Sequence, residues 1–193
     1  MRNGFGKEYD FSGKLNFEGE YLYNHKLKGK LYIKEKLEYE GEFLFDKKWN
    51  GKGYDENGNI IYELINGNGK VKEYYLNNKF LFEGEYLNGK KNGYGKEYFI
   101  NNNLLFEGEY KNGLRNGKGK EYDRNQLIFE GEYLNDKKNG KGKEYKFGIE
   151  IFEGEYLNGE RWNGEGLEFG FNANITFEGE YVNGKRYEKE NKK

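Results

Sequence analysis

Hydrophobic and polar residues alternate in short stretches that return along the whole chain. In the commonest stretch, the pentapeptide Phe-Glu-Gly-Glu-Tyr, the aromatic residues and the glycine share one parity and the two glutamates share the other. This period of two predicts a strand with one buried face and one solvated face. The pentapeptide begins at Phe17, Phe82, Phe106, Phe129, Phe152 and Phe177, and a variant, Tyr-Glu-Gly-Glu-Phe, begins at Tyr39.

The pentapeptides return at a nearly constant spacing. The starts at Phe82, Phe106, Phe129 and Phe152 lie 24, 23 and 23 residues apart. A fixed period of this size indicates one supersecondary unit stacked on copies of itself. A degraded copy stands near Tyr62. We therefore predict a single array of about eight units over residues 1–193, with half-repeats at both ends.

Turn residues separate the predicted strands. After the pentapeptide at Phe82, the pairs Asn88-Gly89 and Asn92-Gly93 supply the positive φ that hairpin turns require. A second strand, residues 95–98, follows them. Helices are implausible because each of the 30 glycines would cost a helix about 1 kcal/mol. The pattern predicts an all-β fold, a single-layer antiparallel meander of stacked β-hairpins.

Glycine has a packing role at the centre of the pentapeptide. Gly84 lies between two inward rings, and its bare backbone leaves space for an aromatic ring from the neighbouring hairpin. By parity, Tyr98 sides with Lys96 rather than with the inward residues. We expect a bulge or a strong twist near residues 93–95 that brings Tyr98 into the core.

Composition narrows the class of protein. Hydrophobic residues make up 34% and charged residues 35% of the chain, values that alone would suit disorder. The aromatic fraction of 19% argues for an ordered core built from rings. The chain has no cysteine and no apolar run near the length of a membrane helix, which favours a reducing, cytoplasmic location.

Candidate catalytic chemistry is sparse. The chain has one histidine, His25, one serine, Ser12, and one threonine, Thr176. These residues exclude a histidine-based metal site and a nucleophilic triad. The paired glutamates recur in every unit, which indicates a surface pattern rather than a catalytic dyad. We predict no enzymatic activity, no cofactor and no metal.

The repeated residues resemble the MORN repeat (membrane occupation and recognition nexus). The family pattern fits Phe82, Gly84, Tyr86, Gly89, Gly93 and Gly95, whereas Asp136 replaces one glycine in a later unit. The Lys-Glu-Tyr ending resembles a shorter bacterial variant. The resemblance implies an elongated, twisted sheet with an aromatic-lined groove. It also implies a scaffold or adaptor, often at membranes or cytoskeletal structures.

The preferred functional hypothesis is a scaffold that binds a protein segment along the aromatic groove or a sheet edge. Exposed tyrosine rings give contact area at low entropic cost. The candidate contact residues belong to the best-formed repeats: Tyr86, Tyr98, Tyr110, Tyr122, Tyr133, Tyr145 and Tyr156.

A second hypothesis rests on the basic residues of the turns. The formal charge is only −1, but glutamates sit on the first strands and bases at the turns, so a basic edge could meet anionic lipid. The glutamates also argue against nucleic acid as a partner. The candidate lipid-binding residues are Lys90, Lys91, Arg115, Lys137, Lys138 and Arg161.

The ends of the array leave further alternatives open. The chain starts in a second strand, residues 4–9, and finishes soon after a first strand. An unmatched edge indicates either a regulatory repeat fragment of a larger protein or end-to-end pairing into a homodimer. The charged carboxyl terminus is a common way to block such pairing.

Overall fold

The computed structural model describes residues 1–75, 79–99, 101–171 and 173–189, and within these ranges every regular element is a strand. Residues 190–193, part of the charged terminus, lie outside them. The chain divides into two compact units, residues 1–102 and 103–193.

The first unit contains nine strands. Strands β1 to β6 form an antiparallel sheet in chain order, and β7, β8 and β9 pair consecutively. Between β6 and β7 a single bridge, Ile65 to Asn68, stands in place of a paired hairpin, and this is the position of the degraded repeat. The strands are β1 (Gly4–Tyr9), β2 (Leu15–Leu22), β3 (His25–Ile33), β4 (Lys36–Leu44), β5 (Lys47–Tyr54), β6 (Ile60–Leu64), β7 (Gly69–Tyr75), β8 (Lys79–Leu87) and β9 (Lys90–Tyr98).

The second unit is the more regular. Each of its strands pairs antiparallel with the next one along the chain. The predicted all-β meander of consecutive hairpins is therefore confirmed. The strands are β10 (Leu104–Lys111), β11 (Leu114–Asp123), β12 (Gln126–Leu134), β13 (Lys137–Lys146), β14 (Ile149–Leu157), β15 (Glu160–Phe169), β16 (Ile175–Val182) and β17 (Lys185–Glu188).

The core is a ladder of aromatic rings on one face of the sheet, which we call the ring face. Phe129 is fully buried and meets the ring of Tyr133 edge-to-face at 5.5 Å. The same phenylalanine meets Tyr156 of the following repeat at 5.2 Å. Phe17, Phe106 and Phe152 likewise join their own repeats to the next ones, and such edge-to-face pairs add about 0.5–1.5 kcal/mol beyond the area they bury.

Paired glycines make room for this ladder. Gly131 lies opposite Gly142, and the ring of Phe129 covers both. Tyr156 of the next hairpin also approaches Gly142. The predicted ring from a neighbouring hairpin is therefore found over the glycine of the second strand. The glycine of the pentapeptide itself is covered by the phenylalanine of its own strand.

The register confirms one expectation and overturns another. In the hairpin of β8 and β9, Gly84 opposes Gly95 but Tyr86 opposes Lys91, so the predicted bulge near residues 93–95 is present. The expectation that this bulge brings Tyr98 into the core is wrong. Glu97 opposes Phe82 on the ring face, and Tyr98 lies on the other face with Lys96.

The opposite face, which we call the charged face, carries the glutamates of the first strands and the lysines of the second strands. Glu130 opposes Lys120 on one side and Lys143 on the other, and Glu132 opposes Lys118. The sheet therefore separates a ring face that supplies the core from a charged face that meets solvent.

We expect Gly131→Ala to destabilise the full chain by about 3 kcal/mol or more, since the new Cβ would meet the Phe129 ring and the backbone of β13 at under 3 Å. Gly6→Ala in the outer strand β1 is the control, because its Cβ would meet only the Tyr21 ring, at 3.3 Å. The control should lose less than about 1 kcal/mol. Urea unfolding measures both, and equal losses would contradict the proposed packing.

Candidate functional site

A cation lies over each phenylalanine that begins a pentapeptide. The Arg115 guanidinium lies 4.2 Å from the Phe106 ring centre, and the Lys138 ammonium lies 4.2 Å from that of Phe129. These are cation–π distances. The cation is the second residue of the second strand, and its cross-strand partner is the pentapeptide tyrosine. The repeat therefore places it over the ring at every hairpin of this kind.

The same cations form a ladder of ion pairs with the glutamates of the Lys-Glu-Tyr segments. Arg115 lies 2.9 Å from Glu121, and Lys138 bridges Glu121 at 3.4 Å and Glu144 at 3.6 Å. Arg161 continues the ladder by donating from Nε to Glu144 at 2.9 Å. These glutamates face the rings because each opposes a phenylalanine across the strands, as Glu121 opposes Phe106.

The ladder shows where the six basic turn residues lie. Four of them, Lys91, Arg115, Lys138 and Arg161, cover ring-face phenylalanines and have side chains only 15–24% exposed. Lys90 and Lys137 are exposed beside the turns. The structure therefore does not bring the six together as one solvated basic edge.

The seven candidate tyrosines also fall into two sets. Tyr110, Tyr133 and Tyr156 are buried in the ring ladder, at 3–4% exposure. Tyr86 packs on the same face, 5.9 Å from Phe82. Burial, together with the nearby Glu121 carboxylate, raises the pKa of Tyr133 well above its ordinary value. These four residues belong to the core side of the sheet.

The other three, Tyr98, Tyr122 and Tyr145, are half-buried on the charged face. The Tyr122 hydroxyl donates to Glu107 at 2.7 Å, and the Tyr145 hydroxyl donates to Glu130 at 2.7 Å. Burial and the Glu130 bond raise the pKa of Tyr145 to about 12. The same bond, aided by Lys120, lowers the pKa of Glu130. The rings of Tyr122 and Tyr145 are thus each held in one orientation by a glutamate of the same repeat.

In each of the two compact units such tyrosines follow one another on the charged face, and we call these residues the tyrosine row. A second register shift turns Tyr122 to face Leu127 of the next strand. Sequence reasoning missed the members in less regular repeats, although the same parity could have found them. The cross-strand pairs of the row are Tyr9–Leu15, Tyr32–Leu37, Tyr54–Ile60, Tyr122–Leu127, Tyr145–Glu150 and Phe169–Ile175.

Beside the row, the charged face carries exposed ion pairs. Lys120 lies 3.2 Å from Glu130, and Lys143 lies 3.0 Å from Glu153. Exposed pairs of this kind contribute about 0–1 kcal/mol each. A partner can therefore replace them at small cost, unlike the partly buried ladder of the ring face.

The first unit contains a buried polar cluster that the sequence did not reveal. The Lys48 ammonium lies 2.6 Å from Glu38, 3.0 Å from the Tyr62 hydroxyl and 3.7 Å from Glu73. Gly53 opposes Tyr62, and the Tyr62 ring fills the space where any Gly53 side chain would lie. Glu38 therefore supplies a carboxylate beside the degraded repeat, and the cluster is structural.

Among the described residues, no group of three or more acidic, histidine or cysteine side chains could hold a metal ion. His25 begins β3, and its Nδ1 lies 2.6 Å from the carboxylate of Asp46, in the turn between β4 and β5. The part of the chain that the structure describes also contains no helix with the length and hydrophobicity of a membrane span.

We expect Lys138→Met to destabilise the chain by about 1–2 kcal/mol, because it removes both the cation over Phe129 and the cation that bridges Glu121 and Glu144. Lys137→Met is the matched control, because Lys137 precedes Lys138 in the chain and its side chain is exposed. It should change stability by less than about 0.5 kcal/mol. Thermal and urea unfolding of both variants test the ladder, and equal effects would contradict it.

We expect Tyr145→Phe to raise the pKa of Glu130, since the tyrosine bond is the main cause of its lowered value. A lowered carboxyl pKa stabilises the fold above the unfolded pKa, and this stability is lost as pH falls through the folded pKa. The variant should therefore be less stable than the parent at neutral pH, and its free energy of unfolding should change less as the pH falls. Carboxyl NMR titration of Glu130 measures the shift, and an unchanged pKa would refute the bond.

Comparison with known proteins agrees with this geometry. No curated protein matches the chain. The family model of the MORN repeat matches residues 82–104, 106–127, 129–146 and 177–186. Each matched segment begins at the phenylalanine of a pentapeptide and runs into the following turn or second strand. These four segments of the chain are therefore MORN repeats.

Proposed function

We propose that this protein is a non-enzymatic scaffold that binds an extended or helical protein segment along the tyrosine row of its charged face. MORN repeats are a non-enzymatic repeat type that generally mediates contacts with proteins or membranes. What we propose beyond this is that the partner is a protein segment and that it contacts the tyrosine row.

The observation that carries the proposal is the fixed orientation of the half-exposed rings. Tyr32, Tyr122 and Tyr145 each donate a 2.7 Å hydrogen bond to a glutamate of their own hairpin. Rings already held in place lose little conformational entropy on binding. The row therefore offers apolar area in a preorganised form, repeated along the sheet.

The charges beside the row favour a protein partner over a uniform surface. Glutamates and lysines alternate from strand to strand, as Glu130 between Lys120 and Lys143 illustrates. A segment carrying both signs can match this alternation, and mismatched charges would disfavour wrong partners. An anionic membrane presents one sign only, and four of the six candidate cations are engaged on the ring face.

The test replaces two rings of the row and compares them with an exposed ring outside it. The double variant Tyr122→Ala/Tyr145→Ala should reduce recovery of a protein partner at least about tenfold in a pull-down from the native source. Phe147→Ala is the control, because Phe147 is exposed at a turn. Photo-cross-linking from position 127, opposite Tyr122, should label the same partner.

Two results would contradict the proposal. The first is a double variant that folds as the parent does and retains its protein partner. The second is salt-sensitive co-sedimentation with phosphatidylserine vesicles that Lys90→Ala and Lys137→Ala abolish, with no cross-linked protein. That second outcome would favour the lipid hypothesis.

A further inference from the structure

Among the best-formed repeats, one residue of the charged face differs from the residues at the equivalent position of the next two repeats. Tyr94 stands between the two second-strand glycines, where the next two repeats have Lys118 and Lys141. Its side chain is 51% exposed. In this hairpin an aromatic residue therefore replaces the charged-face lysine of the next two repeats.

The substitution lies in a shallow depression of the first unit. Tyr94 and Tyr98 of β9 line one side, and Ile61 of β6 contributes an apolar side chain. Val71 and Gly84 of the neighbouring strands also line it. We call this feature the Tyr94 depression. It offers two aromatic rings and the aliphatic side chain of Ile61 among charged residues.

Basic side chains outnumber acidic ones around the depression. Lys70, Lys72 and Lys96 line the depression. Of the two lining glutamates, Glu83 is paired with Lys72 at 3.3 Å. The Glu85 carboxylate lies directly against Gly93, close to the turn. Three lysines and two glutamates thus surround the aromatic rings of the depression, and each lysine opposes one of these glutamates across the strands.

We propose that the Tyr94 depression is the specificity pocket of the scaffold, and that it takes a large apolar side chain from an acidic partner segment. The inference rests on the proposed function, because it names the chemistry of the segment that the charged face binds. The apolar side chain packs on Tyr94, Tyr98 and Ile61, and flanking carboxylates pair with the lysines.

Tyr94→Lys separates this proposal from simple charge attraction. The variant introduces the residue that Lys118 and Lys141 supply in the sibling repeats, so the hairpin should keep its fold. It also adds a positive charge. The probe is a fluorescein-labelled peptide, Gly-Asp-Glu-Asp-Phe-Asp-Glu-Asp-Gly, and binding to the full chain is followed by fluorescence anisotropy at low salt.

We expect Tyr94→Lys to weaken binding of this peptide about tenfold, because the aromatic anchor is lost. Replacing the peptide phenylalanine by serine should weaken binding similarly, and replacing its acids by arginine should abolish it. Phe147→Lys, which makes the same aromatic-to-lysine exchange at an exposed turn outside the charged face, is the matched control and should leave the parent affinity unchanged.

Three results would overturn the inference: no binding of the acidic phenylalanine peptide at millimolar concentration, equal or tighter binding by Tyr94→Lys, or equal binding of the arginine peptide. These results are distinguishable from failure of the proposed function. If Tyr122→Ala/Tyr145→Ala still loses the native partner while Tyr94→Lys behaves as the parent, only the pocket assignment falls.

Discussion

The edge-to-face packing of phenylalanine over paired glycines is the interaction on which the rest of this structure depends. Phe129 covers Gly131 and Gly142 and touches Tyr133 and Tyr156, so one ring closes its own hairpin and joins it to the next. A Cβ on either glycine would displace the ring. Because successive side chains of a strand point to opposite faces, the glutamates then lie on the face opposite the rings.

This packing explains why the two faces differ in what they can bind. The ring face would be an exposed aromatic surface if the cations of the second strands did not cover it. Arg115, Lys138 and Arg161 cover it, and Glu121 and Glu144 hold them there at partial burial. The charged face carries exposed ion pairs, such as Lys120 with Glu130, and half-buried tyrosines. Its contacts can be exchanged for those of a partner.

Much of the fold could be predicted from the sequence because its signals are local: parity gives the strands, Asn-Gly gives the turns and the period gives the stacking. The position of Tyr98 could not be predicted in this way. Register shifts occur on the second strands, and the expected bulge does not turn Tyr98 toward the core. The role of Lys138 was hidden because its partner glutamates lie in two separate strands. Glu38 was missed since it acts only where the repeat is degraded.

Repetition itself limits which residues can confer specificity. A contact that recurs from one hairpin to another, such as the bond from Tyr122 to Glu107 and from Tyr145 to Glu130, fixes geometry but cannot define a unique register for a bound segment. A segment sliding by one repeat would meet the same residues. Tyr94 removes this degeneracy in the regular stretch, because Lys118 and Lys141 occupy the equivalent positions. A scaffold built from near-identical hairpins therefore needs such a departure to hold its partner in one place.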